Sequence, residues 1–351
     1  MTDDLLTLRV WSKVISGWQS VEIVDSIDAL SPTFSLRYTD RQLDSDDTLR
    51  VLPGDLCFLR IGDDQVLAGH VDETVTDEDA SSRSLGVSGR AMTGDLVDCA
   101  VLRRPASWRN ATVEQIARDI CAPFNIGVTV ADGTDLGDPY ARFAVEPGET
   151  CLDCLSRAAR GRGLILRTSP AGFLVITSVG ARRSSTVLRG GDNLLSSSRA
   201  LSLAERFSEV RVRSQSDGED LFGRTSAQAE AVAKDPNVRR YRPLVVLDDA
   251  GQGTRALRRR ADWEVAARLG RGSRVSVRLH GWRDGDGQLW RANTLVRMRH
   301  DWHQIDADLL IVAVRLSLDS GGTRATLELC APEAYRPEPV AQKRKEVAPW
   351  P

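Results

Sequence analysis

Residues 54–91, "GDLCFLRIGDDQVLAGHVDETVTDEDASSRSLGVSGRA", hold three short apolar–polar runs separated by a Gly62-Asp63-Asp64 turn and an acidic turn. A period of two places one face of each run in a core and the other in water, the pattern of half-buried strands rather than helices. The same order of strand, turn, strand, turn, strand returns at residues 293–331, "NTLVRMRHDWHQIDADLLIVAVRLSLDSGGTRATLELCA". Any two antiparallel meanders look alike, so the letters leave duplication and coincidence both open. In either case the chain is committed to β-sheet near both ends.

Between these meanders the period changes. "NATVEQIARDICAPF" has a capping box from Thr112 to Gln115, an apolar face through Val113, Ile116, Ala117 and Ile120, and Pro123 to end it. "ETCLDCLSRAARGRG" starts a second helix at Thr150, with Asp153 at N3 and Gly161 as C-cap. "GLILRTS" and "GFLVITS" then form a hairpin around Pro170-Ala171-Gly172. Farther on, "TRALRRRADWEVAARLGRG" is an arginine-rich helix with an apolar face through Leu257, Ala261, Val265 and Leu269. A chain of 351 residues exceeds one core and suggests two to four domains. The expected fold class is β-rich α+β and multidomain. Residues 1–99 form a first β-barrel-like module, and 100–183 a small α+β domain. Residues 184–335 form a second barrel-like module with a helical insertion at 254–270. The Pro- and Lys/Arg-rich tail 336–351 is expected to be disordered or ordered by a partner.

The net charge of −2 gives the molecule no global attraction for nucleic acid or anionic lipid. Residues 1–100 hold 19 acidic against 8 basic residues, a balance of −11, which leaves +9 for the other 251. Opposite charge of this kind suits docking between copies or partners, or marks two differently solvated domains. The acidic start "MTDDLLTLRV" lacks the features of a secretory signal, and the longest apolar run, "LLIVAV", is far shorter than a bilayer span.

Reactive constellations are sparse. Cys151 and Cys154 form a C-x-x-C at a helix N-terminus, where a thiolate is stabilised, but without the flanking context of a redox motif or a second pair for zinc. Two cysteines three apart also fit one buried helical face. His300 and His303, with Asp301 and Asp306, offer metal-ligand types, but in a strand-end loop such a group is more often a solvated polar turn. His70 and His280 lie in predicted strands. No G-x-S-x-G elbow or phosphate-cradling glycine loop occurs. Arg239, Arg240 and Arg242, and Arg258 to Arg260, would suit nucleic acid, but 43 arginines against 4 lysines point to a compositional bias. Trp282 and Trp290, in "HGWRDGDGQLWRAN", suit a partner interface or a half-buried hairpin pair. Catalytic, cofactor-binding and metal residues are each expected to be none.

Six segments taken in order resemble the baseplate hub protein of Mu-like contractile-tailed phages. They are "SGWQSVEIVDSIDALSPTFSL", "TVEQIARDICAPFNIGVTV", "ERFSEVRVRSQ", "RRYRPLVVLDD", "HGWRDGDGQLWRANTLVRM" and "LLIVAVRLSLDSGGTRATLEL". The resemblance runs from about residue 14 to residue 335. It implies a structural, non-enzymatic protein with no cofactor: a homotrimer whose two modules per chain build a pseudo-sixfold ring. That ring would join the hexameric tail tube to a trimeric membrane-piercing spike, meet baseplate wedge proteins, and leave a channel through which DNA only passes. It also implies a place in the virion tail baseplate, assembly in the host bacterial cytoplasm, and no stable membrane association. The rival classes are a tail-associated peptidoglycan hydrolase, for which the chain has no spare catalytic segment, and a nucleic-acid-binding module resting on the arginines alone.

Overall fold

The computed structural model describes residues 4–40, 51–78, 83–214, 230–248 and 254–336. The chain forms two compact units, residues 1–199 with 275–330, and residues 200–274 with 331–351. The tail expected to lack a packing face lies, beyond Arg336, outside the described residues.

The first unit opens with β1 (Leu6–Val10), β2 (Lys13–Ile15), β3 (Ser20–Ser26) and β4 (Thr33–Asp40), followed by the meander β5 (Leu56–Ile61), β6 (Asp64–Glu78) and β7 (Arg83–Ala91). Alternation decides what is buried: Leu6, Leu8 and Val10 of β1 enter the core while Thr7 and Arg9 turn away. Gly17 takes φ +80° before β3, and Trp18 is buried edge-on against Tyr38, with ring centroids 6.5 Å apart. The glycine supplies the turn and the indole fills the core behind it.

A mixed segment follows: α1 (Gly94–Asp98), β8 (Ser107–Ala111), α2 (Val113–Cys121), β9 (Val128–Val130), β10 (Tyr140–Ala144), α3 (Cys151–Arg160), β11 (Ile165–Thr168) and β12 (Leu174–Thr177). Both predicted capping boxes form, Thr112 with Gln115 and Thr150 with Asp153. Gly161 caps α3 in a right-handed conformation. A Cβ there would lie 2.3 Å from the Tyr140 hydroxyl, so the position needs glycine for close approach rather than for backbone handedness. The chain continues into β13 (Arg182–Arg189) and β14 (Ser196–Leu201).

The second unit holds β15 (Glu209–Ser214), β16 (Glu230–Lys234), β17 (Pro243–Asp248) and α4 (Thr254–Arg271). Its core joins Val210, Val212, Ala231, Ala233, Leu257 and Ala261. The buried line of α4 runs Leu257, Ala261, Glu264, Ala267 and Gly270. Val265 packs half-buried against this core as expected, while the line passes through Glu264, Ala267 and Gly270 rather than Leu269. Two causes shift it. Glu264 is neutralised in place by Arg260 and Arg268 at 3.0 Å each, and Gly270 lies so close to Ala334 that a Cβ would sit 2.8 Å from it.

The chain then runs through β18 (Ser273–His280) into the second meander, β19 (Thr294–His300), β20 (Ile305–Asp319) and β21 (Gly322–Cys330). The main sheet has the order β14-β18-β21-β20-β3-β4-β7-β6-β5-β1-β2, with β13 pairing β19. One strand joins its halves. β20 pairs β19 through residues 305–310 and β3 through residues 313–318. A single core accordingly includes Leu8, Leu36 and Leu59 with Trp282, Ile311 and Leu327. The fold is β-rich α+β and multidomain.

Candidate assembly surfaces

Both cysteines of the C-x-x-C are placed where a thiolate is disfavoured. Cys151 and Cys154 face the core on α3, and burial pushes their thiols up to about 11 and about 12. Cys57 and Cys121 are likewise pushed up to about 12 by burial. The helix N-terminus does not offset desolvation at Cys151.

His300 and His303 stack with ring centroids 4.1 Å apart, and both Nε2 atoms lie 3.0 Å from the Ser197 hydroxyl on β14. Burial, His300 and Arg199 hold His303 below the usual imidazole range. Asp306 does not join them; it pairs with Arg297 and Arg299. Among the described residues no group of three or more His, Cys, Asp or Glu side chains is arranged to hold a metal ion. Arg199 donates to the His303 carbonyl, so the group fastens the 301–304 loop to β14.

Arg242, Arg258 and Arg260 of the arginine clusters are engaged within the chain. Arg258 pairs with Asp262 and Arg260 with Glu264 along α4, while Arg242 lies over the Phe207 ring. Trp282 and Trp290, which suited a partner interface from their neighbours in sequence, are core residues. Trp282 donates from Nε1 to the Ser317 carbonyl at 3.0 Å. Trp290 lines a cavity of about 30 Å³ with Ile23, Asp25, Thr168, Arg291 and Leu316, room for about one water and too small for a substrate. Burial pulls Arg291 below its ordinary value. Beside this cavity Arg167 holds both carboxylate oxygens of Asp25 at 2.7 Å, and Asp25 also accepts from Ala292 N–H. Trp282 and Trp290 are thus internal, and among the described residues the exposed tryptophans are Trp11 (78%) and Trp302 (87%). Polar neighbours on both sides of Trp302, "RHDWHQID", were the available signal.

What the surface does offer is strand edge. Beyond the bulge at Asp72, β6 carries Glu73, Val75, Thr76, Asp77 and Glu78 exposed and pairs β7 on one side. β14 ends the main sheet on its far side. An open edge is a template for another strand. No helix among the described residues is long and apolar enough to cross a membrane.

The comparisons with known proteins agree with a surface built for assembly. Residues 5–91 match the N-terminal domain model of Mu phage GpP-like baseplate assembly proteins. Residues 93–178 match the second domain of gp44-like baseplate hub proteins. Residues 206–263 match the third domain of NMB1110-like tail proteins, and 253–338 the fourth domain of GpP. The baseplate hub protein gp44 of Escherichia phage Mu is 31% identical over 350 residues, covering 97% of this chain and 91% of that protein. The 43 kDa tail protein of prophage MuSo2 from Shewanella oneidensis superposes with a TM-score of 0.83 at 31% identity, covering 95% of this chain and all of that one. The tail protein from Neisseria meningitidis MC58 superposes at 0.78 with 25% identity, covering 95% and 98%. With its six ordered segments, its β-rich fold and these matches from end to end, the chain belongs to the Mu-type family of phage baseplate hub proteins.

Proposed function

We propose that three copies of this chain form a ring in which each contributes two equivalent β-modules, giving six similar surfaces around one axis. The ring would join a six-fold tail tube and the surrounding baseplate wedge proteins to a trimeric spike, and would leave a channel through which DNA passes. The observation that carries this reading is a repeated backbone device. The meanders β5-β6-β7 and β19-β20-β21 contain strands of 6, 15 and 9 and of 7, 15 and 9 residues. Each long strand has a one-residue bulge against its hairpin partner, at Asp72 and at Val312. A left-handed residue precedes each meander, Gly54 at φ +91° and Asn293 at φ +63°. Its N–H donates to the residue before the bulge, Gly54 to the Val71 carbonyl at 2.7 Å and Asn293 to the Ile311 carbonyl at 2.8 Å. Bulges of this type are specific features of a sheet, so a shared position is stronger support than shared strand order.

Two modules per chain and three chains meet a six-fold tube without a symmetry mismatch. The role is one of shape, and no residue is assigned to catalysis, a cofactor or a metal. Assembly in the host cytoplasm fits a chain with six free cysteines, five of them buried. Native mass spectrometry and electron microscopy of the purified protein, alone and with its spike, test the reading. Three copies in a ring, with residues 100–180 outside the channel, are expected. A stable twofold dimer, or 100–180 lining the axis, would sink it.

A further inference from the structure

The joint between the modules within one chain supplies a template for the joint between chains. In β20 the residues after the bulge, 313–318, lie antiparallel to β3, with Val21 opposite Leu318 and Val24 opposite Arg315. The Ile27 N–H closes the same ladder by donating to the carbonyl of the bulged Val312. The equivalent residues of β6, 73–78, have β7 on one side, and among the described residues no strand on the other.

The strand equivalent to β3 can be found from its own hydrogen bonds. β3 precedes β4, which pairs β7, and Gln19 N–H donates to the Arg37 carbonyl at 2.9 Å. In the second module β14 neighbours β18, which neighbours β21, and Leu195 N–H donates to the Arg278 carbonyl at 2.8 Å. Residue 195 therefore takes the place of 19, and β14 (196–201) the place of 20–25. Among the described residues β14 has β18 as its one neighbour in the sheet.

We propose that β14 of one copy adds to the edge of β6 in the next, antiparallel, with Ser197 opposite Glu78 and Ala200 opposite Val75. This rests on the ring reading above and names its contact. The interface is heterologous, a different edge on each side, which is the kind that closes into a ring. Main-chain hydrogen bonds supply most of the attraction, as in other strand additions.

The side chains suit this register. Ser198 would face Asp77, placing a hydroxyl donor against a carboxylate, while Ser197, whose hydroxyl is held by His300 and His303, would lie opposite Glu78. Ala200 would meet Val75, which is 44% exposed in the single chain. Arg199, whose Nη1 donates to the His303 carbonyl, would lie opposite Thr76 and diagonal to Glu78. No like charges face each other. The internal joint has a comparable cross-strand pair, Arg315 with Glu22.

The pattern also sets the test. Ile27 and Val312 are a hydrogen-bonded pair, so alternation makes Val24 and Arg315 a non-hydrogen-bonded one. Val75 and Ala200 inherit that geometry, with Cα atoms about 4.5 Å apart, within disulfide range. In the full chain carrying Cys99→Ser, the pair Val75→Cys with Ala200→Cys should oxidise to a covalent three-chain species on a non-reducing gel. Val75→Cys with Ser198→Cys, two residues out of register, should not. The Thr76 N–H points to the open edge, so Thr76→Pro should leave circular dichroism unchanged and weaken association at least tenfold. A trimer that fails to cross-link through 75 and 200, that links through the off-register pair, or that survives Thr76→Pro overturns this contact and leaves the ring standing. A chain that stays monomeric with and without its spike overturns both.

Discussion

The ion pair of Arg167 with Asp25 should be the polar contact whose loss costs the first unit most. Arg167 sits on β11 in the mixed segment and Asp25 on β3, the strand that β20 pairs to join the two halves of the main sheet. One guanidinium nitrogen lies 2.7 Å from each carboxylate oxygen, and the side chains are only 10% and 23% exposed. Breaking a buried pair from one side costs about 3–5 kcal/mol, because the remaining charge is left uncompensated. The two sides differ here. Asp25 keeps the Ala292 N–H and some water if Arg167 is removed, so Arg167→Met should cost about 2–3 kcal/mol. Arg167 has no such reserve, since its Nη1 is already buried without a partner, so Asp25→Asn should cost about 3–5 kcal/mol. Urea unfolding followed by tryptophan fluorescence reads the difference. With a slope of about 3 kcal/mol per molar, the midpoint should fall by about 1 M or slightly less for Arg167→Met, and by more for Asp25→Asn. The double variant should recover at least about 1 kcal/mol relative to the sum. Strict additivity, or a loss under about 0.5 kcal/mol in either single variant, would refute the reasoning.

Other outcomes follow from the same geometry. Of the six cysteines only Cys99 is exposed, so a thiol reagent should modify one group in the native protein and six after unfolding, and rapid native labelling of Cys151 or Cys154 would overturn their placement. Because burial raises the thiol pKa from 9.0 to about 11–12 in the folded protein, this contribution to stability is complete below pH 9. It should be lost as the pH rises toward 11–12, which unfolding midpoints measured across that range will check. A Cβ at Gly89 would lie 2.1 Å from the His70 carbonyl oxygen and 2.8 Å from the Phe34 ring, so Gly89→Ala should cost about 3 kcal/mol by urea unfolding. Gly54→Asn should cost about 1 kcal/mol, since nothing lies within 4 Å of a Cβ there but φ +91° lies beyond the left-handed region that asparagine adopts readily. The reverse change, Asn293→Gly, should cost about 2 kcal/mol by losing the bonds to Gly180 N–H and the Ser178 carbonyl.

Signals confined to a few neighbouring residues were legible in the sequence. The capping boxes at Thr112 and Thr150, the Gly62 turn and the three runs of the first meander are each specified within a few positions, where side chain and backbone interact directly. Long-range choices were not legible. Nothing in "SVEIVDS" indicates that residues 21–26 pair with 313–318, because a strand edge presents the same backbone groups to any partner. Trp282 and Trp290 misled for a related reason. Glycine and charge beside an aromatic describe the turn that carries it and not what lies behind the turn, which here is the shared core. On α4, the apolar letters gave Leu269, while burial of Glu264 depends on Arg260 and Arg268 together, a combination that hydrophobic periodicity scores against.

Low identity between the meanders becomes understandable once their shared features are named. What recurs is an extra residue in the long strand, a left-handed residue ahead of the first strand, and one hydrogen bond between them. Each constrains backbone conformation, and each can be met by several residues: glycine or asparagine at the left-handed position, and aspartate or valine at the bulge. Core positions need only stay apolar and of suitable volume. The surroundings were freer still. β1 runs antiparallel to β5 while β13 runs parallel to β19, and residues 27–32 link β3 to β4 where the second unit separates β14 from β18. Selection for a ring of similar surfaces would act on strand edges and their bulges, so those edges are where the two halves of the chain should be compared, rather than their side chains.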